Sequence, residues 1–309
     1  MLGPVLLAAA RSDRMRRVVA AAPVTRPVVN RFVAGDALDP ALTAVRALTD
    51  SGLDVTLDHL GEDVTDRATA HATRDAYLRL LETLRDEKLG DRAEVSVKLS
   101  AFGQTLPDGG HDIALESVRQ VADLATEIGT TVTLDMEDHT TVDSTLAVLR
   151  ELRRAHPRTG AVLQSYLFRT EDDARALATE GSRVRLVKGA YREPASVAFQ
   201  DKKDVDRSYV RSLRTLFAGD GYPMVGSHDP RLIAIAQELA ARNHRAAGTY
   251  EFQMLYGIRT AEQRRLADEG ERMRIYVPYG ADWYGYFMRR LAERPANLAF
   301  FLRSFAPAR

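Results

Sequence analysis

Eight short apolar or alternating runs recur along the chain, at residues 55–57, 95–99, 132–136, 162–168, 184–187, 224–225, 249–254 and 274–277. Segments of helical periodicity lie between them, among them 113–128, 142–152, 170–178, 205–217, 230–241 and 261–267. Strand and helix alternating eight times predict a (β/α)8 barrel. A doubly wound sheet is the alternative, weakened because neither G-x-G-x-x-G nor G-x-x-x-x-G-K-[ST] follows any early strand. A chain of 309 residues, 45% of them hydrophobic, is long enough for one large core, and no low-complexity linker divides it. The expected organisation is a helical segment over 1–53 packed on a barrel over 54–309, distorted by these extra N-terminal helices and by a C-terminal helix at the barrel mouth.

Charge and cysteine content narrow the chemistry. Lys+Arg and Asp+Glu both total 43, so no net charge draws the whole chain to nucleic acid or anionic lipid. No Cys is present, which excludes disulfides, thiolate nucleophiles, Cys-ligated zinc and iron–sulfur clusters, and fits a cytoplasmic, reducing compartment. Residues 2–10 are apolar but too short to span a bilayer, and they run into Arg11, Arg14, Arg16 and Arg17. They read as a packed helix of a protein that is soluble or at most peripheral to a membrane.

In a barrel the C-terminal strand ends carry the site, and here those ends are polar. Asp58-His59-Leu60-Gly61-Glu62 ends the first strand, Lys98 the second, Asp135-Met136-Glu137 the third, and Gln164 lies in the fourth. Arg185 and Lys188-Gly189-Ala190-Tyr191 end the fifth, and Ser227-His228-Asp229 the sixth; Glu251 and Gln253 lie in the seventh and Tyr276 in the eighth. Only five lysines occur, at 88, 98, 188, 202 and 203, and two of them fall in strand segments. A Lys in an apolar strand costs desolvation unless paired, so Lys98 and Lys188 are functional candidates; the alternative is a barrel-layer Lys satisfied by a neighbouring acid. His59 and His228 also read as hydrogen-bonded structural residues, and no two-His spacing imposes a metal site.

Beyond the last strand, Tyr286, Arg289, Arg290 and Glu293 fall at i, i+3, i+4 and i+7, while Phe287 and Leu291 occupy another stripe. Two adjacent guanidiniums beside a phenol suit a carboxylate, which planar bidentate donors hold in a fixed orientation. A solvated helix with an Arg–Glu pair is the plainer alternative.

Taken in order, Lys98 in Val-Ser-Val-Lys-Leu-Ser, Leu134-Asp135-Met136-Glu137, Arg185-Leu-Val-Lys188-Gly-Ala-Tyr191, Gly226-Ser-His228-Asp, Tyr276, and Tyr286-x-x-Arg289-Arg290-x-x-Glu293 resemble the motif set of the proline dehydrogenases. The likeness runs from about Arg31 onward, and the size fits the short monofunctional bacterial members. It implies a distorted (β/α)8 barrel with FAD at the strand C-termini and L-proline as substrate. Arg289 and Arg290 would hold the proline carboxylate, with Lys98, Asp135, Tyr276 and Tyr286 completing the pocket. Arg185 would stand at the flavin N5 edge, and Lys188, Gly189, Ala190, Tyr191, Gln164, Ser227, His228, Asp229 and Glu251 would be further cofactor contacts, as would Asp135. Ser227 and Asp229 depart from the family's more usual Thr and Asn.

The resemblance further implies hydride transfer from proline to the flavin, pyrroline-5-carboxylate as product, a membrane quinone as electron acceptor with peripheral attachment at the inner face, and a downstream pyrroline-5-carboxylate dehydrogenase. Glu62, after the flexible point of Gly61, would reach Arg289 across the mouth once substrate is bound; the alternative is an acidic residue serving the next helix N-terminus. Two other classes remain open. One is a lyase using Lys98 or Lys188 as a Schiff base, or a metal hydrolase using Asp58, His59, Asp135, Glu137 and His228; the other is a silent metabolite-binding barrel.

Overall fold

The computed structural model describes residues 26–293; the apolar stretch 2–10 and the arginines after it lie outside them. Two helices come first, α1 (Arg26–Val29) and α2 (Leu38–Asp50). The chain then runs through β1 (Asp54–His59), α3 (Arg67–Asp86), β2 (Ala93–Val97), α4 (Gly110–Glu127), β3 (Val132–Leu134), α5 (Val142–Arg153), β4 (Gly160–Gln164) and α6 (Thr170–Leu177). It continues with β5 (Arg183–Val187), α7 (Lys202–Ala218), β6 (Tyr222–Gly226), α8 (Pro230–Arg242), β7 (Glu251–Leu255), α9 (Thr260–Asp268), β8 (Met273–Tyr279) and α10 (Trp283–Glu293). The eight strands are parallel and close in sequence order, β8 pairing with β1 from Asp54 opposite Arg274 to His59 opposite Tyr279. This is the (β/α)8 barrel that the alternation predicts.

The strands read as nearly continuous apolar runs because both faces are covered, the outer one by helices. Those helices bury stripes at helical spacing, such as Ala114, Val118, Val121 and Ala125 of α4. Several start on an acidic cap: Asp66 accepts from Thr69 N at 2.8 Å and Asp201 from Lys203 N at 2.7 Å.

The lower barrel is ionic. Glu94 takes Arg183 Nη2 at 2.5 Å and Thr56 Oγ1 at 2.9 Å, while buried Arg274 donates to Glu251 at 2.9 Å and to the Val55 carbonyl at 2.8 Å. Removing one partner of such a pair would leave an uncompensated charge in the core.

The ends of the chain depart from the regular pattern. α2 packs against β1 and β8, on the flank that the helix after β8 would otherwise cover. The chain leaves β8 through Gly280, whose φ of +125° suits glycine, and α10 turns over the mouth. Its apolar stripe, Trp283, Phe287 and Leu291, packs on Val28, Val29, Phe32 and Val33 of the N-terminal segment, together with Leu60 and Ile258. Phe287 and Leu291 thus form the packed side expected from their offsets, and the other side is turned to the barrel. The Glu293 side chain falls outside the described part.

Candidate active site

A cavity of about 630 Å3 opens at the C-terminal ends of the strands. Its floor is a charged cluster assembled from five elements. Lys98 follows β2 and donates to both Asp58 oxygens at 2.7 and 2.8 Å, with Asp135 Oδ2 at 3.9 Å. Asp135 follows β3, tied by its N–H to the Val97 carbonyl at 2.9 Å. Its carboxylate accepts from Arg185 Nη1 of β5 at 2.8 Å and from the Tyr276 hydroxyl of β8 at 2.6 Å. The Arg185 guanidinium also lies over the Tyr276 ring, 5.3 Å from its centroid. Burial alone would lower the Lys98 ammonium, but Asp58, Asp135 and Glu62 together outweigh it and hold it above its ordinary value. Burial, with the Asp135 and Asp58 charges, pushes the Tyr276 hydroxyl well up, so it stays a donor.

One wall is the segment after β5. Gly189 has φ +117°, and a Cβ there would come within 2.5 Å of the Tyr166 ring, so the close approach requires glycine. The Tyr166 hydroxyl donates to Gln164 Oε1 at 3.1 Å and Gln164 Nε2 donates to the Glu137 carbonyl at 2.7 Å, which fixes the Gln164 amide at the cavity edge. Lys188 pairs with Asp206 at 2.6 Å and Asp229 at 3.3 Å. Asp229 also caps α8, accepting from Arg231 N at 3.1 Å, and its own N–H donates to Ser227 Oγ at 3.1 Å. His228 Nε2 accepts the Leu255 N–H at 3.0 Å, which puts the proton of a neutral ring on Nδ1.

The roof is α10. Tyr286, Arg289 and Arg290 all line the cavity, with Arg290 5.0 Å from the Tyr286 ring centroid. Glu62 accepts from Arg289 Nη2 at 2.5 Å and Nη1 at 3.3 Å. Burial lowers the Arg289 guanidinium, and Glu62, Tyr191 and Asp58 outweigh it to leave it raised. The pair joins the loop after β1 to α10 across the mouth. The loop is held by Asp63 N donating to Ser100 Oγ at 3.2 Å, and its left-handed residue is Asp63, φ 52°, rather than Gly61.

Most of the expected residues meet around this one cavity: Lys98, Asp135, Gln164, Arg185, Lys188, Gly189, Ala190, Tyr191, Ser227, His228, Asp229, Tyr276, Tyr286, Arg289 and Arg290. Glu251 is corrected. It opens β7 at the opposite end of the barrel, where Arg274 and the Tyr222 hydroxyl, at 2.9 and 3.0 Å, require an acid, and it does not line the cavity. The acids and histidines of the metal-hydrolase alternative are spread over separate partners: Glu137 takes Ser100 N and Oγ, and Asp58 takes Lys98.

The cavity also contains residues outside the flavin and proline contacts that the resemblance implies. Asp58 lies on its floor, Met136, Val162, Met254 and Leu255 supply apolar wall, and Lys202 and Arg259 add cations to its lining. Arg259 carried a detectable sign, a basic residue in the loop after strand seven; its φ of 54° and its bond to the His228 carbonyl at 2.7 Å come only with the fold.

The proline dehydrogenase family profile matches residues 41–303. Proline dehydrogenase 1 of Bacillus subtilis (strain 168) is 39% identical over 279 residues, covering 90% of this chain and 91% of that one. The chain belongs to the proline dehydrogenase family. The proline dehydrogenase of Deinococcus radiodurans is 42% identical over 275 residues, 88% of each chain. Proline utilization A from Bdellovibrio bacteriovorus, inactivated by N-propargylglycine, superposes with a TM-score of 0.80 at 27% identity over 91% of this chain and 34% of that one. This proline dehydrogenase family chain therefore spans about a third of that longer protein. The family is one of flavoenzymes, and the chain is an oxidoreductase. No helix among the described residues is long and apolar enough to cross a membrane.

Proposed function

We propose that the mouth cavity holds FAD beside L-proline, and that the protein oxidises L-proline to pyrroline-5-carboxylate, the first step of proline catabolism. The observation carrying this reading is the pairing of an arginine roof with a Lys–Asp–Tyr–Arg floor across a cavity much larger than one amino acid needs. The space and its chemistry fit a dinucleotide: Gly189 permits close backbone approach, Lys188, Lys202 and Arg259 offer cations to phosphates, and Gln164 and His228 offer oriented polar edges. Bound flavin supplies the two-electron acceptor that no side chain can provide.

The protein's own part is to bind and orient. Arg289 and Arg290 take the proline carboxylate, with Tyr286 against the ring, and the Glu62 pair holds Arg289 in place. Lys98, Asp135 and Tyr276 form the polar face toward the amine. Arg185 keeps a cation beside the reacting ring system, where it favours added negative charge. A Schiff-base lyase is disfavoured because Lys98 is held as an ammonium, which is no nucleophile.

In this reading the electrons leave to a membrane quinone, reached by peripheral association. The cyclic imine product opens to an aldehyde that a pyrroline-5-carboxylate dehydrogenase would consume. The visible spectrum of the purified protein tests the reading: a flavin spectrum bleached by anaerobic L-proline is expected. Colourless protein, or yellow protein that proline leaves unchanged, would overturn it.

A further inference from the structure

Asp58 takes no part in the assignments above, yet it is the most buried acid lining the cavity, 1% exposed, and both its oxygens bond to Lys98 Nζ. The other acid of the floor is already committed, Asp135 accepting from Arg185 at 2.8 Å and from Tyr276 at 2.6 Å. Two carboxylates therefore face two cations, Lys98 and Arg185, and the floor is balanced before substrate arrives.

Proline enters as a zwitterion. Its carboxylate has the arginine roof, but its ammonium brings a positive charge to a floor that already holds Lys98. Oxidation at the ring carbon beside nitrogen uses the nitrogen lone pair, so an ammonium proton must leave first. Arg185 cannot accept it, because a guanidinium stays protonated, and Tyr276 is engaged as a donor. Glu137 points instead at Ser100, at 2.6 Å.

We propose that Asp58 is the acceptor of the substrate amine proton, reached through Lys98. The inference rests on the proline-oxidising reading. The substrate N–H bond breaks as its proton passes to Lys98 Nζ, and one of the Nζ protons passes to an Asp58 oxygen 2.7 Å away. No electron leaves the substrate in this step; the lone pair stays on nitrogen, Lys98 remains an ammonium and Asp58 becomes neutral. Lys98, Asp135 and Tyr276 face Asp58 directly, His59, Tyr77 and Tyr279 stand behind it, and Glu62 and Arg289 bear on the pair from the roof. Burial pushes the Asp58 carboxyl above its ordinary value against the pull of Lys98, which makes its protonated form accessible.

Asp58→Asn tests the idea, since the amide oxygen still accepts from Lys98 but holds no proton. Flavin content and affinity for a proline analogue with oxygen in place of the ring nitrogen should match the wild type. The rate of flavin reduction by proline at pH 7 should fall roughly 10²-fold. Across pH it should then follow the fraction of free proline present as neutral amine, while the wild type levels off at lower pH. Proline affinity for the already reduced enzyme should acquire the same pH dependence. A profile of wild-type shape, whether or not the rate is lowered, would overturn the proposal and leave Asp58 a structural partner of Lys98. If Asp58→Asn loses its flavin, the same profile read on Asp58→Glu decides: a displaced acid limb supports the relay, and an undisplaced one overturns it. Wild-type flavin that proline does not reduce at any pH would instead sink the reading of function.

Discussion

Glu137 carries a pH dependence of stability that can be worked out from its surroundings. The residue is 6% exposed, and its carboxyl accepts from Ser100 N at 3.1 Å and Ser100 Oγ at 2.6 Å. Burial raises it; the Ser100 bonds and the Lys98 charge oppose, the Glu62 charge adds, and the balance lies at about 7 rather than 4.5. A raised acid keeps its proton in the folded chain at a pH where the unfolded chain has released it. The stabilisation is therefore complete below about pH 4.5 and is lost as pH rises through about 7. At 1.36 kcal/mol per pH unit the loss is about 3 kcal/mol, and at about 2.1 cal/mol/K of unfolding entropy per residue over 309 residues that is roughly 5 °C in Tm. Glu137→Gln keeps both contacts, its oxygen accepting from Ser100 N and its amide donating to Oγ, but does not titrate. Thermal unfolding of both proteins from pH 4 to 8 should show the wild-type Tm falling relative to the variant by about that amount. Parallel curves, or a wild type that gains on the variant with rising pH, would refute the argument.

Five other substitutions probe the site. Arg290→Lys keeps the charge but loses the planar fork, so proline affinity should fall about tenfold with normal flavin content; unchanged affinity removes the case for a carboxylate clamp. Arg185→Met should slow flavin reduction and lower the flavin potential, and a redox titration with no shift counts against the cation's role. Glu62→Ala and Arg289→Ala should couple by about 1 kcal/mol in a double-mutant cycle on proline affinity, while additive effects end the idea of a working pair. Gly189→Ala places a Cβ 2.5 Å from the Tyr166 ring at a φ of +117°; flavin content measured after purification should drop, and full occupancy would show that the close approach is not needed.

The sequence reveals the barrel because a strand covered on both faces leaves a continuous apolar run, which is a local signal. Which end of a strand a polar residue occupies is not local. The apolar run at 249–254 places Glu251 inside a strand, and only the pairing of β7 with β6, where Glu251 lies opposite Met224, shows that it is the first residue, its carboxylate on Arg274. Strands two and three end earlier than their runs suggest: Lys98 follows Val97 and leads into the 3-10 turn Leu99–Phe102, and Asp135 follows Leu134. These early ends aim Lys98 and Asp135 across the mouth. Asp58 is visible in the sequence as a polar strand end, but its bond to Lys98, forty residues on, is a product of the β1–β2 neighbourhood alone. Motif order located the chemistry here better than periodicity did, since side chains that converge on one cavity are scattered from Asp58 to Arg290.

The displaced last helix connects the fold to the site. Because α2 fills the flank between β1 and β8, α10 has no strand surface left to cover and must bury its apolar stripe elsewhere. The stripe is met by Val28, Val29, Phe32 and Val33, with Phe32 and Phe287 ring centroids 6.3 Å apart. That segment is itself fixed to the last strand and to the turn after it, Ala34 N donating to the Pro278 carbonyl and Gly280 N to the Gly35 carbonyl, both at 2.9 Å. Two guanidiniums on the opposite face are thereby held over the cavity by packing behind them, and Glu62 secures one from the side. The energy that orients the roof is thus apolar burial outside the site, with the Glu62 pair adding a single polar tie at Arg289.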